Sequence, residues 1–593
     1  MKIEKASWIM TVILFFSMFH IVLIVVPNNV TASTFFVGGS GPGNYTSIQE
    51  AIDDASPGST VFVYEGTYYE GIDITKAISL IGENRDTTVL DNSGMTAAVD
   101  INSDWVNVSG LTLMSSGSAA RSVVEFWRSE NCSIVHNDVI SGSTDIYASL
   151  SLYFSNGITI AYNTFTDSAT AIRLDNSNDN TIVSNVITNN TWEGIELRDS
   201  NSNAIQNNTI ATIQDVGIRL FFSDSNVIGD NDIDSSRWHG IHLYESRHCV
   251  VFGNAMERVG LLISGDSIEH WITHVIDDSN TVGGDPIYFL KNVSGGTVPS
   301  DGGQVILVNG TGITIEGMGA NNIFREISLA FSSGNTIVNN KVTDSRVGTA
   351  LIQSDNNYIA NNTISCIHES GISSSAGGIA LYSSVNNTVA NNAVRDCETG
   401  IVMGSSSNEN VITGNVVSGN IGAVGILVQS SNDSLIVGNK ISMNYYGIAI
   451  SNSGGNKIYH NNFVDNFNHS YDESNGNEWD NGYPSGGNYW SDYQGSDWFS
   501  GPGQNLSGQD GIGDVPYDIP GGTSQDRYPL LRPFGEKSIF EDIWFWVLAA
   551  VIMVVVISSI FLILYKRRKG RAEEGQPANE SLSIMEGEDE RLD

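Results

Sequence analysis

Residues 184–197, SNVITNNTWEGIEL, carry a pattern that returns along the chain every 23 residues. The apolar pair Ile195 and Leu197 recurs in the same register as the asparagine near the start of the stretch. A second series with spacings of mostly 22 to 25 residues begins at Asn335 and ends at Asn461. A fixed period of this length indicates a repeat architecture. The asparagines of the first series are Asn185, Asn208, Asn231 and Asn254.

The repeat combines short alternating apolar runs with Gly, Asn and Ser turns, and it has no helical period. This pattern predicts an all-β solenoid, a parallel β-helix with three short strands in each coil of about 22–24 residues. Coils would stack at the usual strand spacing of about 4.8 Å, which gives about 15 to 17 coils and a rod of roughly 70–80 Å. Asparagine suits such coils because it tolerates left-handed turns and because stacked amides bond to each other.

The chain divides into segments of different composition. We expect the period to hold across the solenoid except in one longer excursion. The predicted segments are a signal peptide (1–32), an N-terminal cap (33–59), the β-helix (60–475, with the excursion at 256–330), a Gly-, Asp- and aromatic-rich C-terminal cap (476–540), a transmembrane helix (543–565) and a cytoplasmic tail (566–593).

An open β-helix end is an exposed sheet edge and requires a cover. The stretch TSIQEAIDDASPG predicts a short capping helix with its apolar residues on one face. Thr46 and Gln49 fit a capping box. We interpret Asp53 and Asp54 as part of the solvated face rather than as a catalytic pair. The apolar face consists of Ile48, Ala51, Ile52 and Ala55.

Both ends of the chain indicate a surface protein. Basic residues and then an apolar run precede Ala32, which is typical of a cleaved secretory signal, although the run is also long enough for an uncleaved anchor. Residues 543–565 contain no charge over 23 positions, and KRRKGR follows directly. This order predicts a single-pass cell-membrane protein with an extracellular ectodomain and a cytoplasmic C-terminus.

The charge balance excludes one class of partner. The formal net charge is −38, from 66 acidic and 28 basic residues, which argues against nucleic acid. About twelve N-x-[ST] sequons, for example at Asn44, Asn107, Asn189 and Asn309, make the protein a candidate glycoprotein.

The four cysteines differ in whether they can form a disulfide. Cys132 and Cys249 lie about five coils apart, roughly 24 Å, which is too far for a disulfide. Cys366 and Cys397 fall at nearly equivalent positions of neighbouring coils, and their pairing remains open.

One outer sheet face carries the strongest candidate for a ligand site. In the first series the outward residue between the two core positions is charged or aromatic, whereas the corresponding residues 380, 402, 427 and 449 are apolar. Aromatic faces stack on sugar rings, and charged groups bond hydroxyls or uronates. The alternative is a charge ladder that only stabilises the stack. The candidate groove residues are Arg173, Asp175, Trp192, Glu196, Arg198, Arg219, Trp238, His242, Tyr244 and Glu245.

Two metal hypotheses also arise from the residue types. Five histidines fall between residues 239 and 274, but transition-metal binding would need them to converge in space. In the C-terminal cap, DGIGD resembles a calcium loop in residue type without the full ligand spacing. Asp510, Asp514 and Asp518 are therefore candidate calcium ligands, and structural turns are the alternative.

Three stretches resemble a known family. VGGSGPGNYTSIQEAIDDASPGSTVFVY is similar to the opening of right-handed β-helix proteins of the pectin-lyase-like superfamily. The Asn/Gly repeats, THVIDDSNTVGGDPIYFLKN and GNYWSDYQGSD resemble membrane-anchored archaeal proteins with NosD-like repeats, a group linked to carbohydrate binding and sugar hydrolysis. The NosD name implies copper-site maturation, but the sequence has no Cys/Met/His pattern for copper. The N-T-D, G-H-G, R-I-K and D-P-H-E motifs of related enzymes are absent.

These observations favour a membrane-anchored, non-catalytic rod that displays or binds polysaccharide. One alternative is a polysaccharide lyase, hydrolase or epimerase that acts in the groove of residues 170–245. Another is a purely structural component of the cell envelope. Fold alone does not grant activity, and the residues do not name a sugar.

Overall fold

The computed structural model describes residues 32–92, 97–115, 122–142, 146–234, 238–319, 326–345, 347–366, 377–420, 424–535 and 539–573. The predicted signal peptide lies outside them except for Ala32, and so do the last 20 residues of the predicted tail. Two compact units result, Met1–Leu531 and Arg532–Asp593.

The first unit is a right-handed parallel β-helix, as the repeat and the resemblance predicted. Each coil contributes one strand to each of three parallel sheets, and the alternating apolar residues point into the interior. One face has nine strands before residue 265 and nine after residue 284, so the stack has about 18 turns, slightly more than expected. The first strand is Thr34–Val37, which pairs with Thr60–Val63 and places the start of the stack ahead of residue 60.

The first half of the stack contains three sheets, here called sheets 1, 2 and 3 in the order that the chain visits them. Sheet 1 contains Thr34–Val37, Thr60–Val63, Ser79–Gly82, Asn107–Ser109, Ser133–Val135, Thr159–Ala161, Thr181–Val183, Ala204–Gln206, Val227–Gly229, Val250–Phe252 and Val275–Ile276. Sheet 2 contains Gly66–Tyr68, Thr88–Asp91, Thr112–Met114, Asp138–Ile140, Thr164–Thr166, Val186–Asn190, Thr209–Ile213, Asp232–Asp234, Ala255–Met256 and Thr281–Val282. Sheet 3 contains Ile72–Ile74, Val99–Ile101, Ser122–Trp127, Ala148–Tyr153, Thr170–Asp175, Ile195–Arg198, Val216–Phe221, His239–Tyr244 and Leu261–Ser264.

The second half repeats this arrangement in sheets 4, 5 and 6. Sheet 4 contains Asp285–Lys291, Gln304–Val308, Glu326–Ala330, Thr349–Ile352, Gly377–Tyr382, Thr399–Gly404, Val424–Gln429, Tyr446–Ser451 and Asn468–Asp472. Sheet 5 contains Ser294–Val298, Thr311–Glu316, Thr336–Val338, Tyr358–Ala360, Thr388–Ala390, Val411–Thr413, Leu435–Val437 and Lys457–Tyr459. Sheet 6 contains Lys341–Ser345, Thr363–Cys366, Ala393–Arg395, Val416–Ser418, Lys440–Ser442, Asn462–Val464 and Tyr489–Trp490.

Buried asparagines form the ladders that the repeat predicted. The Asn185 backbone N–H donates to Asn208 Oδ1 at 2.9 Å, and the Asn208 N–H donates to Asn231 Oδ1 at 3.0 Å. The left-handed residue of this turn is not the ladder asparagine, however, but the residue before it, such as Ser184 (φ 56°) or Asn207 (φ 54°). The buried amide therefore serves hydrogen bonding, and its neighbour supplies the bend.

The predicted excursion at 256–330 is mostly part of the stack. Coil strands continue through it as far as Thr281–Val282, which then pairs antiparallel with the start of Asp285–Lys291. This reversal carries the chain from sheet 2 into sheet 4 and breaks the 23-residue period. The Gln304 side chain closes the edge of sheet 3, since it donates to Leu261 O at 2.7 Å and accepts from Leu261 N at 2.9 Å.

A short helix, α1 (Ile48–Asp54), covers the first coil with the apolar face that the sequence predicted. Its N-cap is Ser47 rather than Thr46, so the predicted capping box is wrong by one residue. The physical reason is Glu70, whose carboxylate accepts from the N–H groups of Ile48 and Gln49 and leaves no backbone donor for a Gln49 box.

The cap after the last coil is built around buried tryptophans, and it contains the antiparallel pairs Phe499–Ser500 with Leu506–Ser507 and Tyr517–Asp518 with Gln525–Asp526. Trp490 stacks between Phe463 of the last coils and Tyr517, each at 4.2 Å between ring centroids. The Trp490 Nε1–H donates to Asp526 at 2.9 Å, and burial raises the pKa of this carboxyl to about 7.

Cys132, Cys249 and Cys397 occupy ladder positions, whereas Cys366 ends a strand of sheet 6. Cys366 and Cys397 form a disulfide between neighbouring coils, which settles the pairing that the sequence left open. Cys132 and Cys249 are buried, free thiols, and Cys132 Sγ accepts from Val106 N as a ladder asparagine would.

The second unit contains the helix α3, Ile539–Glu573, which covers the predicted transmembrane segment; the helix α2, Glu269–Ile272, belongs to the first unit. Among the residues that the structure describes, no helix is both long and apolar enough to cross a membrane.

Candidate functional site

The candidate groove lies on the outer face of sheet 3. Its central strands place four predicted residues directly opposite one another in adjacent coils: Arg173, Glu196, Arg219 and His242. These residues project outward because the flanking Ile and Leu side chains fill the interior. The register that the sequence predicted is therefore confirmed.

The charged side chains of this row bond to each other. Glu196 is 2% exposed and accepts from Arg173 Nη1 at 2.6 Å and from Arg198 Nη2 at 2.7 Å. Arg173 also pairs with Asp175 at 3.1 Å and lies over the Tyr147 ring, 4.7 Å from its centroid. Both carboxylate oxygens of the buried Glu196 are therefore held by guanidinium groups.

A second ion-pair group adjoins the first. Arg219 donates to Glu193 at 2.6 Å and to Asp215 at 3.0 Å, and Thr170 Oγ1 donates to Glu193 at 3.0 Å. Burial raises the pKa of Glu193, an effect that the nearby Arg219 opposes. Glu193 was missed in the sequence because it precedes the strand, outside the outward row. The outward row contains more arginines than acidic residues, and this excess indicates that a further carboxylate such as Glu193 lies nearby.

His242 ends the charged row. Its Nε2 lies 2.8 Å from Ser264 Oγ, and burial lowers its pKa to about 3, with Arg219 acting in the same direction. His242 is therefore neutral at physiological pH. His239 lies 5.9 Å from it between ring centroids.

An aromatic row runs beside the ion pairs, at the C-terminal ends of the same strands. It contains Trp127, Tyr153, Phe221 and Tyr244, with Asp175 and Arg198 in register between the two pairs. Trp127 and Tyr153 lie 5.5 Å apart, and Phe221 and Tyr244 lie 5.2 Å apart, between ring centroids. The Arg198 guanidinium lies 4.9 Å from the centre of the Phe221 ring. Only Tyr244 of these four aromatics is among the predicted residues, because the predicted groove begins at residue 170, after Trp127 and Tyr153, and includes only Arg219 from the strand of Phe221.

The remaining predicted groove residues lie around these two rows. Trp192 is 49% exposed and meets Tyr147 edge-on at 5.7 Å. Trp238 is half-buried in the turn before its strand, and its N–H donates to Asp215 O at 2.9 Å. A hydrogen bond to Glu245 raises the pKa of Tyr244. The corresponding outer positions of sheet 4 are apolar, as predicted.

Neither predicted metal site has a cluster of ligands in the structure. In the described part of the chain, no three His, Cys, Asp or Glu side chains are placed to hold a metal ion together. His274 takes a ladder position, with Nδ1 accepting from Cys249 N. Asp514 accepts from Trp498 N and Phe499 N, Asp510 from Ile512 N, and Asp518 from the Gln525 amide. Each of the three carboxylates thus holds its own turn, and calcium binding stays a prediction.

The stacked parallel coils and the row of outward side chains define the molecule as a parallel β-helix protein with a long, polar and aromatic outer face. The chain belongs to the family described as periplasmic copper-binding protein (NosD), whose model matches residues 107–274 and 278–495. The ladder role of His274 and the buried state of Cys132 and Cys249 do not fit a copper site within the described residues.

Several solved structures are similar to this chain at low identity. They include the catalytic domain of GH87 alpha-1,3-glucanase in complex with nigerose (12% identity, 63% of this chain and 67% of that chain, TM-score 0.34). The Dettilon tailspike protein is 14% identical over 62% of each chain, with a TM-score of 0.30. The DFA-IIIase from Arthrobacter chlorophenolicus A6 is 12% identical over 60% of this chain and 93% of that chain, with a TM-score of 0.33. Comparison with curated protein sequences gave no match. No activity transfers from these likenesses.

Proposed function

We propose that this protein is a membrane-anchored surface β-helix that binds an extended polysaccharide along sheet 3 and does not cleave it. The aromatic row carries this proposal. It spans six adjacent strands, a length of about 24 Å at the usual strand spacing. Rings at both ends of the row suit sugar faces, and the central Asp175 and Arg198 suit hydroxyl groups.

The self-paired ion ladder favours binding over catalysis. The residues that the enzyme alternative would use are Arg173, Arg219, Asp175 and Glu196, and all four are ion-paired. These ion pairs engage the charged groups with one another. Ion-paired side chains beside an aromatic row are suited to hold a polysaccharide chain in place.

The membrane anchor rests on the sequence order. Residues 543–565 are uncharged and are followed by KRRKGR, an order that supports a cytoplasmic C-terminus by the positive-inside rule. The helix Ile539–Glu573 is continuous over this segment. The test is fractionation: the full chain should pellet with membranes and need detergent for release, whereas a chain stopped after Gly535 should be secreted. Release of the full chain by salt alone would contradict the anchor.

Polysaccharide binding is tested with the full chain in a detergent that has no sugar headgroup. Immobilised neutral and acidic polysaccharides should retain the protein saturably, without reducing ends or unsaturated products. Replacement of Trp127 or Phe221 by alanine should weaken retention about tenfold. Tyr358→Ala is the matched control, because this exposed aromatic lies on sheet 5. Product formation would overturn the non-catalytic part, and equal loss in the control would overturn the site.

A further inference from the structure

A cleft of about 440 Å³ lies between the last coil and the C-terminal cap, outside the aromatic row. The coil supplies the consecutive residues Asp465 to Ser470, and the cap supplies Ser491, Asp492, Tyr517 and Pro520. The volume falls within the range of small-ligand sites. The cleft exists because the interior of the stack ends here and the cap does not fill it completely.

The polar groups of the cleft form a connected network. The buried His469 places Nε2 3.2 Å from Ser491 Oγ and 3.4 Å from Asp492 Oδ1, and the Tyr517 hydroxyl donates to Asp492 Oδ2 at 3.2 Å. The Asn466 amide donates to His469 Nδ1 at 3.3 Å. This bond fixes the histidine proton on Nε2, because the Asn466 carbonyl oxygen already accepts from Asn444.

The His469 tautomer with its proton on Nε2 determines whether Ser491 can act as a nucleophile. His469 donates from Nε2 toward Ser491 and Asp492, so it cannot accept the Ser491 proton and activate that hydroxyl. Burial lowers the pKa of His469, against the influence of Asp492, and this keeps the ring neutral. Ser491 Oγ also accepts from Asp465 N at 3.0 Å. Ser491, His469 and Asp492 therefore resemble a nucleophilic triad in residue type only. Their hydrogen bonds suit ligand binding rather than nucleophilic attack.

Ser470 gives the second, independent sign of a ligand. It lies in register with the core residue Ile448, at the position where the isoleucines of earlier coils fill the interior. Ser470 is one of the residues that line the cleft, and its hydroxyl is buried without a hydrogen-bond partner among the described residues. A buried hydroxyl without a partner destabilises the fold, and a ligand hydroxyl in the cleft would satisfy it.

The mouth of the cleft carries an aromatic platform. Phe467 lines the cleft, is 77% exposed, and stacks on Tyr445 of the preceding coil with a centroid distance of 5.1 Å and an interplanar angle of 9°. An exposed ring of this kind offers its free face to an apolar ring face. Among the described lining residues there is no lysine or arginine, while Asp465 and Asp492 supply carboxylates. This charge pattern excludes an anionic sugar and favours hydroxyl donors.

We propose that this cleft binds a single neutral hexose unit, with Phe467 against the sugar face and Asp492 and Ser470 on its hydroxyl groups, while His469 holds Ser491 and Asp492 in position. The site is separate from the polysaccharide face of sheet 3 and does not depend on it. A chain end or a branch sugar suits the cleft, because the cap closes one side.

The test is calorimetric titration of the full chain, in a detergent that has no sugar headgroup, with glucose, mannose, galactose and galacturonate. At least one neutral hexose should bind saturably, and galacturonate should bind at least tenfold more weakly. Phe467→Ala and Asp492→Asn should each weaken the hexose about tenfold or more. Phe467 is a surface residue, so its loss leaves the fold intact. Tyr358→Ala, at an exposed ring of sheet 5 outside both sites, should leave hexose affinity unchanged.

Two results would overturn the proposal. One is the absence of saturable binding for all three neutral hexoses. The other is binding that Trp127→Ala abolishes and Phe467→Ala does not, which would assign the sugar to sheet 3. If the hexose binds and polysaccharide retention fails, the cleft stands and the sheet 3 proposal falls.

Discussion

At the residue scale, each buried ladder asparagine forms hydrogen bonds with backbone groups of the turns between stacked strands. The Asn208 carbonyl oxygen accepts from the backbone and side chain of Asn185, and its amide nitrogen donates to Ile182 O, Gln206 O and Asn231 Oδ1. Tight turns between stacked strands leave these backbone groups without strand partners, and the ladder satisfies them. Side-chain amides thereby connect each coil to two neighbours.

We expect Asn208→Ala to lower the free energy of unfolding by about 3 kcal/mol, because several buried polar groups lose their partner. The matched control is Asn207→Gly, at the adjacent residue with φ 54°, which should be neutral since glycine adopts this conformation freely. Urea denaturation followed by circular dichroism measures both. Equal midpoints for Asn208→Ala and the unchanged protein would contradict the ladder role.

The buried Glu196 supports a second prediction at this scale. Glu196→Ala leaves Arg173, which is 7% exposed, without its closest partner, and we expect a loss of about 3 kcal/mol in the free energy of unfolding. Asp175→Ala removes the more exposed partner of the same arginine and should cost less than about 1 kcal/mol. A reversed order in thermal unfolding would show that the row does not stabilise the stack.

At the scale of the element, the disulfide ties two coils of sheet 6. It joins two cysteines that are 31 residues apart in the sequence. Its loss should lower the free energy of unfolding by about 3–4 kcal/mol. The paired change Cys366→Ser with Cys397→Ser tests this, with Cys132→Ser as the control at a free ladder thiol. Thiol titration of the denatured, unreduced protein should detect two thiols, those of Cys132 and Cys249. Four reactive thiols would contradict the pairing.

Glu326, in the third strand of sheet 4, should make stability depend on pH. Burial raises its pKa to about 7, and Ser328 Oγ donates to it at 2.7 Å. The unfolded carboxyl loses its proton first, so this group's contribution is fully present below about pH 4 and is lost as the pH rises to about 7. Relative to Glu326→Gln, the unchanged protein should lose roughly 3 kcal/mol across this window.

Urea midpoints at about pH 4, 6 and 7.5 would measure that difference, because these values span the window in which the contribution of Glu326 is lost. The exposed Glu409→Gln is the control and should keep the pH profile of the unchanged protein. A Glu326→Gln profile parallel to that of the unchanged protein would show that Glu326 is ionised in the folded state.

Elements that repeat were predictable, and elements that occur once were not. The position of Glu196 between Ile195 and Leu197 fixed its register, because side chains alternate along a strand. The reversal at Thr281–Val282 and the bonds of Gln304 to Leu261 occur only once. The repeat period of the sequence therefore could not predict them. The cleft around His469 was missed for a related reason. Its residues come from the last coil and from the irregular cap, which have no shared pattern.

At the scale of the whole solenoid unit, the interior is divided into two hydrophobic cores. One core extends from Val37 to Ala330 and the other from Val298 to Ile519. They meet at the first strands of sheet 4, where Val305 and Leu307 belong to the second core while Ile306 and Val308 belong to the first. Repeat stacks are held by contacts between neighbours, so a break in the stack also divides cooperativity.

The division predicts two unfolding transitions, which a matched pair of core changes can separate. Ile205 and Ile412 are both fully buried at the centre of three-residue strands, one in each core. Each change to alanine should cost about 2–5 kcal/mol. In calorimetry, Ile205→Ala should move one transition and Ile412→Ala the other, since local stability follows the contacts that each core makes within itself. A single transition that both changes lower equally would mean that the shared strands of sheet 4 couple the two cores into one folding unit.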